Sequence, residues 1–134
     1  MKKPTYVEAL RERVLIYDGA MGTSIDTFHL TAADYGGENT FGARDYLVIT
    51  RPDVIEQIHA SFLEAGADVL ETCTFQSTRI RLEEWGLAGQ THAINVAAAR
   101  LARRVADAFE ARDGRPRYVA GSMGPTGKLP SSDD

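Results

Sequence analysis

Three apolar runs, "VLIYDG" (Val14 to Gly19), "ADVLETCTF" (Ala67 to Phe75) and "RYVAGSM" (Arg117 to Met123), alternate with stretches of one-faced helical periodicity, and this alternation constrains the fold most. A parallel strand can return to its neighbour's side only through a long crossover, usually a helix that covers the sheet. The pattern therefore predicts an α/β protein with parallel strands. Each run ends in residues that could carry chemistry, and in such folds functional loops lie at the carboxyl ends of the strands.

The helices between the runs have readable ends. From Pro52 to Ala65, Val54, Ile58 and Phe62 recur at four-residue spacing with Ile55 beside them; Thr50 is the expected cap, Pro52 lies in the first turn and Gly66 is the stop. "STRIRLEEWG" predicts a short helix closed by Gly86, and Thr91 to Ala111 a longer one whose apolar face is Ile94, Ala97, Ala98, Leu101, Val105 and Ala108. Ahead of the first run, Thr5 to Arg13 predicts a lead-in helix capped by Thr5, with Val7 and Leu10 on one side. "TAADYGGENTFGARD", Thr31 to Asp45, has no period and is expected to be a long loop, a class of segment that is usually disordered or part of a site. After the third run comes the loop "GPTGKLPSSDD", with no helix to cover the sheet beyond it.

At 134 residues and 43% hydrophobic content the chain can bury one ordinary core. Three strands cannot close a barrel, which typically takes ~250 residues, so the chain is expected to be the beginning of a larger sheet. Its third strand would leave an open edge prone to association. A formal charge of −4, with basic and acidic residues interspersed, gives no phosphate-binding surface, so nucleic acid is excluded as an expected partner. The amino terminus lacks the apolar segment of a signal peptide and no window has membrane-spanning length, which makes a cytoplasmic location the expectation. The single cysteine, Cys73, cannot form an intramolecular disulfide or by itself a structural zinc site.

In "YDGAMGTSID" a carboxylate, Asp18, precedes a Gly-Ala-Met-Gly turn whose N–H groups are free to bind an acceptor. A phosphate cradle fits poorly, because Asp18 would repel a dianion and no lysine or arginine lies in the motif. A zwitterion fits better, with its ammonium on Asp18 and its carboxylate on the amides. A bare capping role for Asp18 stays open. At the second strand end, the two-residue period puts Glu71 and Cys73 on one face and Thr72 and Thr74 on the other. Cys73 has no histidine beside it and suits a core position better than a nucleophile's; Phe75 either walls a pocket or packs, and Glu71 is a candidate partner for an arginine. "GSMGPTG", Gly121 to Gly127, has the glycine content to let backbone approach a ligand, though ordinary turns use the same residues. His29, His59 and His92 show no metal spacing and are expected to face solvent, and Trp85 is expected in the core or an interface.

Taken in order, "DGAMGT", "RPDVIEQIHASFLEAGADVLETCTF" and "YVAGSMGPTGKLPSS" resemble the homocysteine S-methyltransferase family. The "LTAADYGGE" insertion and "GARDYLVITRPDVI" bring the resemblance nearest to the amino-terminal module of the cobalamin-dependent methionine synthases. The resemblance implies a (βα)₈ barrel, a TIM barrel, of which residues 1–134 form an amino-terminal portion of about three βα units. It implies a methyltransferase that passes a methyl group from methylcobalamin, remade from methyltetrahydrofolate, to zinc-activated homocysteine to give methionine. Partners would be homocysteine and the folate and cobalamin modules, and the cofactors of the whole enzyme would be zinc and cobalamin.

By the same resemblance the substrate-binding set is Asp18, Gly19, Ala20 and Met21 at the first turn and Thr72, Cys73, Thr74 and Phe75 at the second. Asp18 would receive the homocysteine ammonium, and the amides around Ala20 and Met21 its carboxylate. No catalytic residue and no metal ligand falls within this chain, since the family's three zinc cysteines lie late in the barrel and Cys73 stands where relatives often carry asparagine. This segment alone is therefore expected to bind neither zinc nor cobalamin and to be inactive. Two alternatives stay open: a cobalamin-independent homocysteine methyltransferase using betaine or S-methylmethionine, and a stand-alone amino-acid-binding α/β module without catalysis.

Overall fold

In the computed structural model, which describes residues 2–131, helix α1 (Tyr6–Glu12) begins with a reciprocal cap between Thr5 and Glu8. Its buried side is Tyr6 and Ala9; Val7 and Leu10, the pair expected to share one side, are both exposed. Ala9 packs on Leu15, Val69 and Tyr118, and the Tyr6 ring meets Tyr118 edge-on at 5.7 Å. The lead-in helix thus covers one face of the sheet.

The sheet itself is short. Strands β1 (Val69–Glu71) and β2 (Tyr118–Ala120) pair in parallel, Leu70 opposite Val119. The expected first strand, Val14 to Gly19, runs alongside β1 but makes a single parallel bridge, Tyr17 to Val69. It was expected to be buried, yet only Leu15 is; Val14 is 77% and Ile16 56% exposed. Leu15 points to the face covered by α1, where it joins Ala9, Val69 and Tyr118, whereas Val14 and Ile16 point to the opposite face and stay open to solvent. What fixes it is Asp68, whose carboxylate, 3% exposed, accepts from the Ile16 N–H at 2.9 Å and from Arg13 at 2.9 Å.

The other sheet face is covered by the crossover helices α4 (Pro52–Glu64) and α6 (Thr91–Asp113), which join Leu70 and Val119 in the main core. Gly114, in the left-handed conformation at φ 74°, stops α6. The buried stripe of α6 is rotated from the expected one: Ala108 is exposed, whereas Ala102 and Ala106 are fully buried, their small side chains allowing close approach. Between β1 and α6 lie α5 (Arg79–Leu82), capped by Thr78, a 3₁₀ turn over 83–85, and Gly86 at φ 69° as the expected stop. Trp85 packs against the main core.

Two expectations for α4 are corrected. Thr50 does not cap it: Thr50 closes the short helix α3 (Leu47–Thr50), its hydroxyl is buried without a partner among the described residues, and Arg51 holds the cap position with its guanidinium on Asp53 and Asp34. His59 does not face solvent: it is 0% exposed, and neither ring nitrogen has a hydrogen-bond partner among the described residues. Helix α4 lies against α2 (Met21–Asp26), α3, α6 and β1, so its buried arc is wide enough to take in a polar position. Burial pulls the His59 pKa down to about 4.

The stretch 31–45 is more ordered than the lack of period implied. It folds through turns and two 3₁₀ segments, 38–40 and 44–46, and buries Tyr35, Ala43 and Asp45. Residues 121–131 form the glycine-rich loop expected after β2, and the remainder of that predicted loop, 132–134, lies outside the described residues.

Candidate functional site

At the carboxyl ends of the three parallel segments lies a cavity of about 490 Å³. Its floor comes from the first turn, where Asp18 follows the bridge to β1 and α2 begins at Met21. The turn is held down by the Asp18 N–H on the Val69 carbonyl at 2.9 Å. Gly19 is needed here for space, because a Cβ would stand 2.9 Å from the Phe62 ring. The N–H groups of Gly19, Ala20 and Met21 meet no acceptor among the described residues, as expected where a helix starts without a side-chain cap.

Both oxygens of the Asp18 carboxylate accept from the Glu71 N–H, at 3.1 and 3.2 Å, and among the described residues no cationic side chain pairs with it. Burial, reinforced by the nearby Glu71 carboxylate, raises its pKa to about 6 against the pull of the backbone hydrogen bonds. Glu71 was expected to find an arginine; among the described residues it has no ion pair, and it lines the cavity too. The one guanidinium on the wall, Arg44, is held by both oxygens of Asp26 at 2.9 and 3.0 Å.

The wall opposite is the turn after β1. Thr72, Cys73 and Phe75 line the cavity; Thr74 does not, its hydroxyl being buried between Thr72 at 2.6 Å and the Ser122 carbonyl at 2.7 Å. Phe75 is 54% exposed, so of the two readings open for it the structure shows a wall and not a core position. Gly124 donates its N–H to the Phe75 carbonyl at 3.0 Å, and a Cβ on Gly124 would fall on that oxygen. This is the close approach the loop's glycines allow.

The strongest feature missed in the sequence is Asp45. Its carboxylate, buried beside the cavity, accepts from the Gln76 N–H at 2.7 Å, the Ser77 hydroxyl at 2.8 Å and the Cys73 thiol at 3.6 Å. Burial raises the Asp45 pKa against those three hydrogen bonds, and burial together with Asp45 pushes the Cys73 thiol well up. Burial and the neighbouring carboxylate thus favour the protonated thiol at Cys73, which suits a core position. The only local sign of Asp45 was a lone acid directly before the apolar "YLVI".

The donors present do not fit a zinc ion. Among the described residues no group of three or more His, Cys, Asp or Glu side chains could hold a metal, and a site of the kind zinc uses needs several deprotonated ligands in one place. Nor is any helix among the described residues long and apolar enough to cross a membrane.

A parallel α/β protein with a cavity at the carboxyl ends of its strands, floored by an unpaired carboxylate and free amides, is the class that fold and site define. Residues 15–134 match the model of the homocysteine S-methyltransferase family, and the chain belongs to that family. It is similar to the solved homocysteine methyltransferase MmuM from Escherichia coli. The metallated form aligns at 26% identity and a TM-score of 0.70, over 87% of this chain and 40% of that one. The oxidised form aligns at 28% identity and a TM-score of 0.72, over 88% of this chain and again 40% of that one. The chain thus spans about 40% of the length of the solved enzymes it matches, and over that span its fold is theirs.

Proposed function

We propose that this chain provides the amino-acid grip of a homocysteine S-methyltransferase. The Asp18 carboxylate receives the substrate ammonium, the N–H groups of Gly19, Ala20 and Met21 receive its carboxylate, and Thr72 and Phe75 wall the side chain. One observation carries the reading: a half-buried carboxylate without a cation stands next to three N–H groups without an acceptor among the described residues, in one cavity. Charges and donors left open in that pairing are satisfied together by a zwitterion and by neither a phosphate nor a simple cation. The substrate thiol is the methyl acceptor in the whole enzyme, and the product is methionine. Because the donor set does not fit zinc, thiol activation is assigned to no residue here.

Calorimetric titration of homocysteine into the chain tests the grip. Asp18→Asn keeps the shape and removes the charge, so affinity should fall at least tenfold, the scale of one charge-assisted hydrogen bond. Equal affinity in wild type and Asp18→Asn would refute the assignment.

For the methyl donor, the "LTAADYGGE" insertion and the packed 31–45 segment favour methylcobalamin and a methionine synthase with folate and cobalamin modules as partners, working in the cytoplasm. The second reading, a cobalamin-independent enzyme, is favoured by the solved relatives, whose descriptions name a homocysteine methyltransferase. Transfer assays with each donor on the complete enzyme separate them.

A further inference from the structure

We infer that Asp45 is the positioning residue of the cavity wall: brought in by the 31–46 segment, its carboxylate fixes the turn after β1 so that Phe75 and Thr72 face the ligand. The inference rests on the reading of the cavity as a homocysteine grip. The turn has little of its own to hold it, since β1 ends at Glu71 and the inner backbone bonds are those of Thr74 to Thr72 and Ser77 to Thr74. Asp45 bridges three positions of the turn at once, the Cys73 thiol, the Gln76 N–H and the Ser77 hydroxyl, on either side of Phe75.

From the other side, Gly124 binds the Phe75 carbonyl, and the Thr72 and Thr74 hydroxyls bind the Ser122 backbone. Phe75 is thus pinned by its backbone neighbours while its side chain, over half exposed, lies against the backbone at Gly124. A carboxylate is suited to this place because it accepts from all three groups and donates to none. With Asp45 only 8% exposed and without a cationic partner among the described residues, these three bonds are the interactions that hold it inside.

Asp45→Asn, Asp45→Ala and Ser77→Ala test this beside Val105→Ala, a core truncation in α6 remote from the cavity. Amide hydrogen exchange on the ligand-free chain is read first. If Asp45 positions the turn, exchange at Gln76 quickens roughly tenfold or more in Asp45→Asn, the scale of one lost hydrogen bond, with distant amides unchanged. Val105→Ala should instead quicken exchange across the core. Homocysteine affinity should fall roughly tenfold in Asp45→Asn, more in Asp45→Ala and less in Ser77→Ala, and stay at the wild-type value in Val105→Ala. Affinity that tracks thermal stability across all four variants, or unchanged Gln76 exchange in Asp45→Asn, overturns the inference. A wild-type chain that binds no homocysteine refutes the grip instead, and the exchange pattern still decides the role of Asp45.

Discussion

Replacing His59 with leucine, of similar volume, should stabilise the protein and remove part of its sensitivity to acid. In the folded chain both ring nitrogens are buried and unpartnered among the described residues, and the pKa stands at about 4 against an ordinary 6.5. Because the folded value lies below the unfolded one, the unfolded chain takes up the proton first, and stability is lost as pH falls below 6.5. Linkage between those values gives a loss of about 2 kcal/mol by pH 5 and about 3 kcal/mol by pH 4, with none above pH 7.

At neutral pH, His59→Leu also removes the cost of unsatisfied buried polar atoms, roughly 1–3 kcal/mol per group, less whatever strain the branched side chain introduces. Carboxylates titrate in the same range, and Asp18, whose folded pKa is raised, acts in the opposite sense: its share of stability grows as pH falls through about 6. The quantity to measure is therefore the difference between wild type and His59→Leu in urea unfolding at pH 7, 6, 5 and 4, in which the carboxylates cancel. A gap that widens by about 2–3 kcal/mol toward pH 4 supports the buried neutral imidazole. Parallel acid limbs would refute it, showing that the imidazole finds a partner or water.

Three further outcomes follow from other parts of the molecule. Homocysteine affinity should be level around pH 7, where the substrate ammonium is charged and Asp18 ionised, and fall toward tenfold per unit below about pH 6, as Asp18 takes up a proton, and Asp18→Asn should flatten the acid limb; a wild-type profile that stays flat to pH 5 contradicts the ion pair. Gly124→Ala puts a methyl group on the Phe75 carbonyl and should cost about 1–3 kcal/mol, checked by urea unfolding, where an unmoved midpoint would show that the loop yields freely. Asp68→Asn weakens the hold on Ile16, Arg13 and Arg115 and should destabilise by about 1–3 kcal/mol while speeding proteolysis near residues 13–17; unaltered cleavage there would mean that α1 packing alone retains the segment.

The parts of the fold that were legible in the sequence are those set by local chemistry. The order of apolar runs and one-faced helices, the cap at Thr5 and the stop at Gly86 depend on neighbours within one or two turns. The first turn was legible for the same reason, since Asp18 and the amides that follow it are adjacent in the chain. What escaped depends on residues far apart. Asp45 finds its partners 28 to 32 positions later, and His59 is buried because four elements converge on α4.

The wall of the cavity shows most clearly where the pattern argument stops working. Alternation along a strand put Cys73 with Glu71 and against Thr72 and Thr74, and it holds only while the backbone stays extended. The strand ends at Glu71, and the chain coils, with Thr74 donating to the Thr72 carbonyl at 2.8 Å and Ser77 to the Thr74 carbonyl at 3.0 Å. Within that coil Cys73 turns into the core toward Asp45, Thr74 turns onto Thr72 and Ser122, and Phe75 emerges into solvent. The residues that would touch homocysteine are therefore chosen by a turn whose shape is imposed by Asp45 from the 44–46 3₁₀ segment and by Gly124 from the loop after β2, and a change at either should alter the ligand contacts of Phe75 without touching its own position in the sequence.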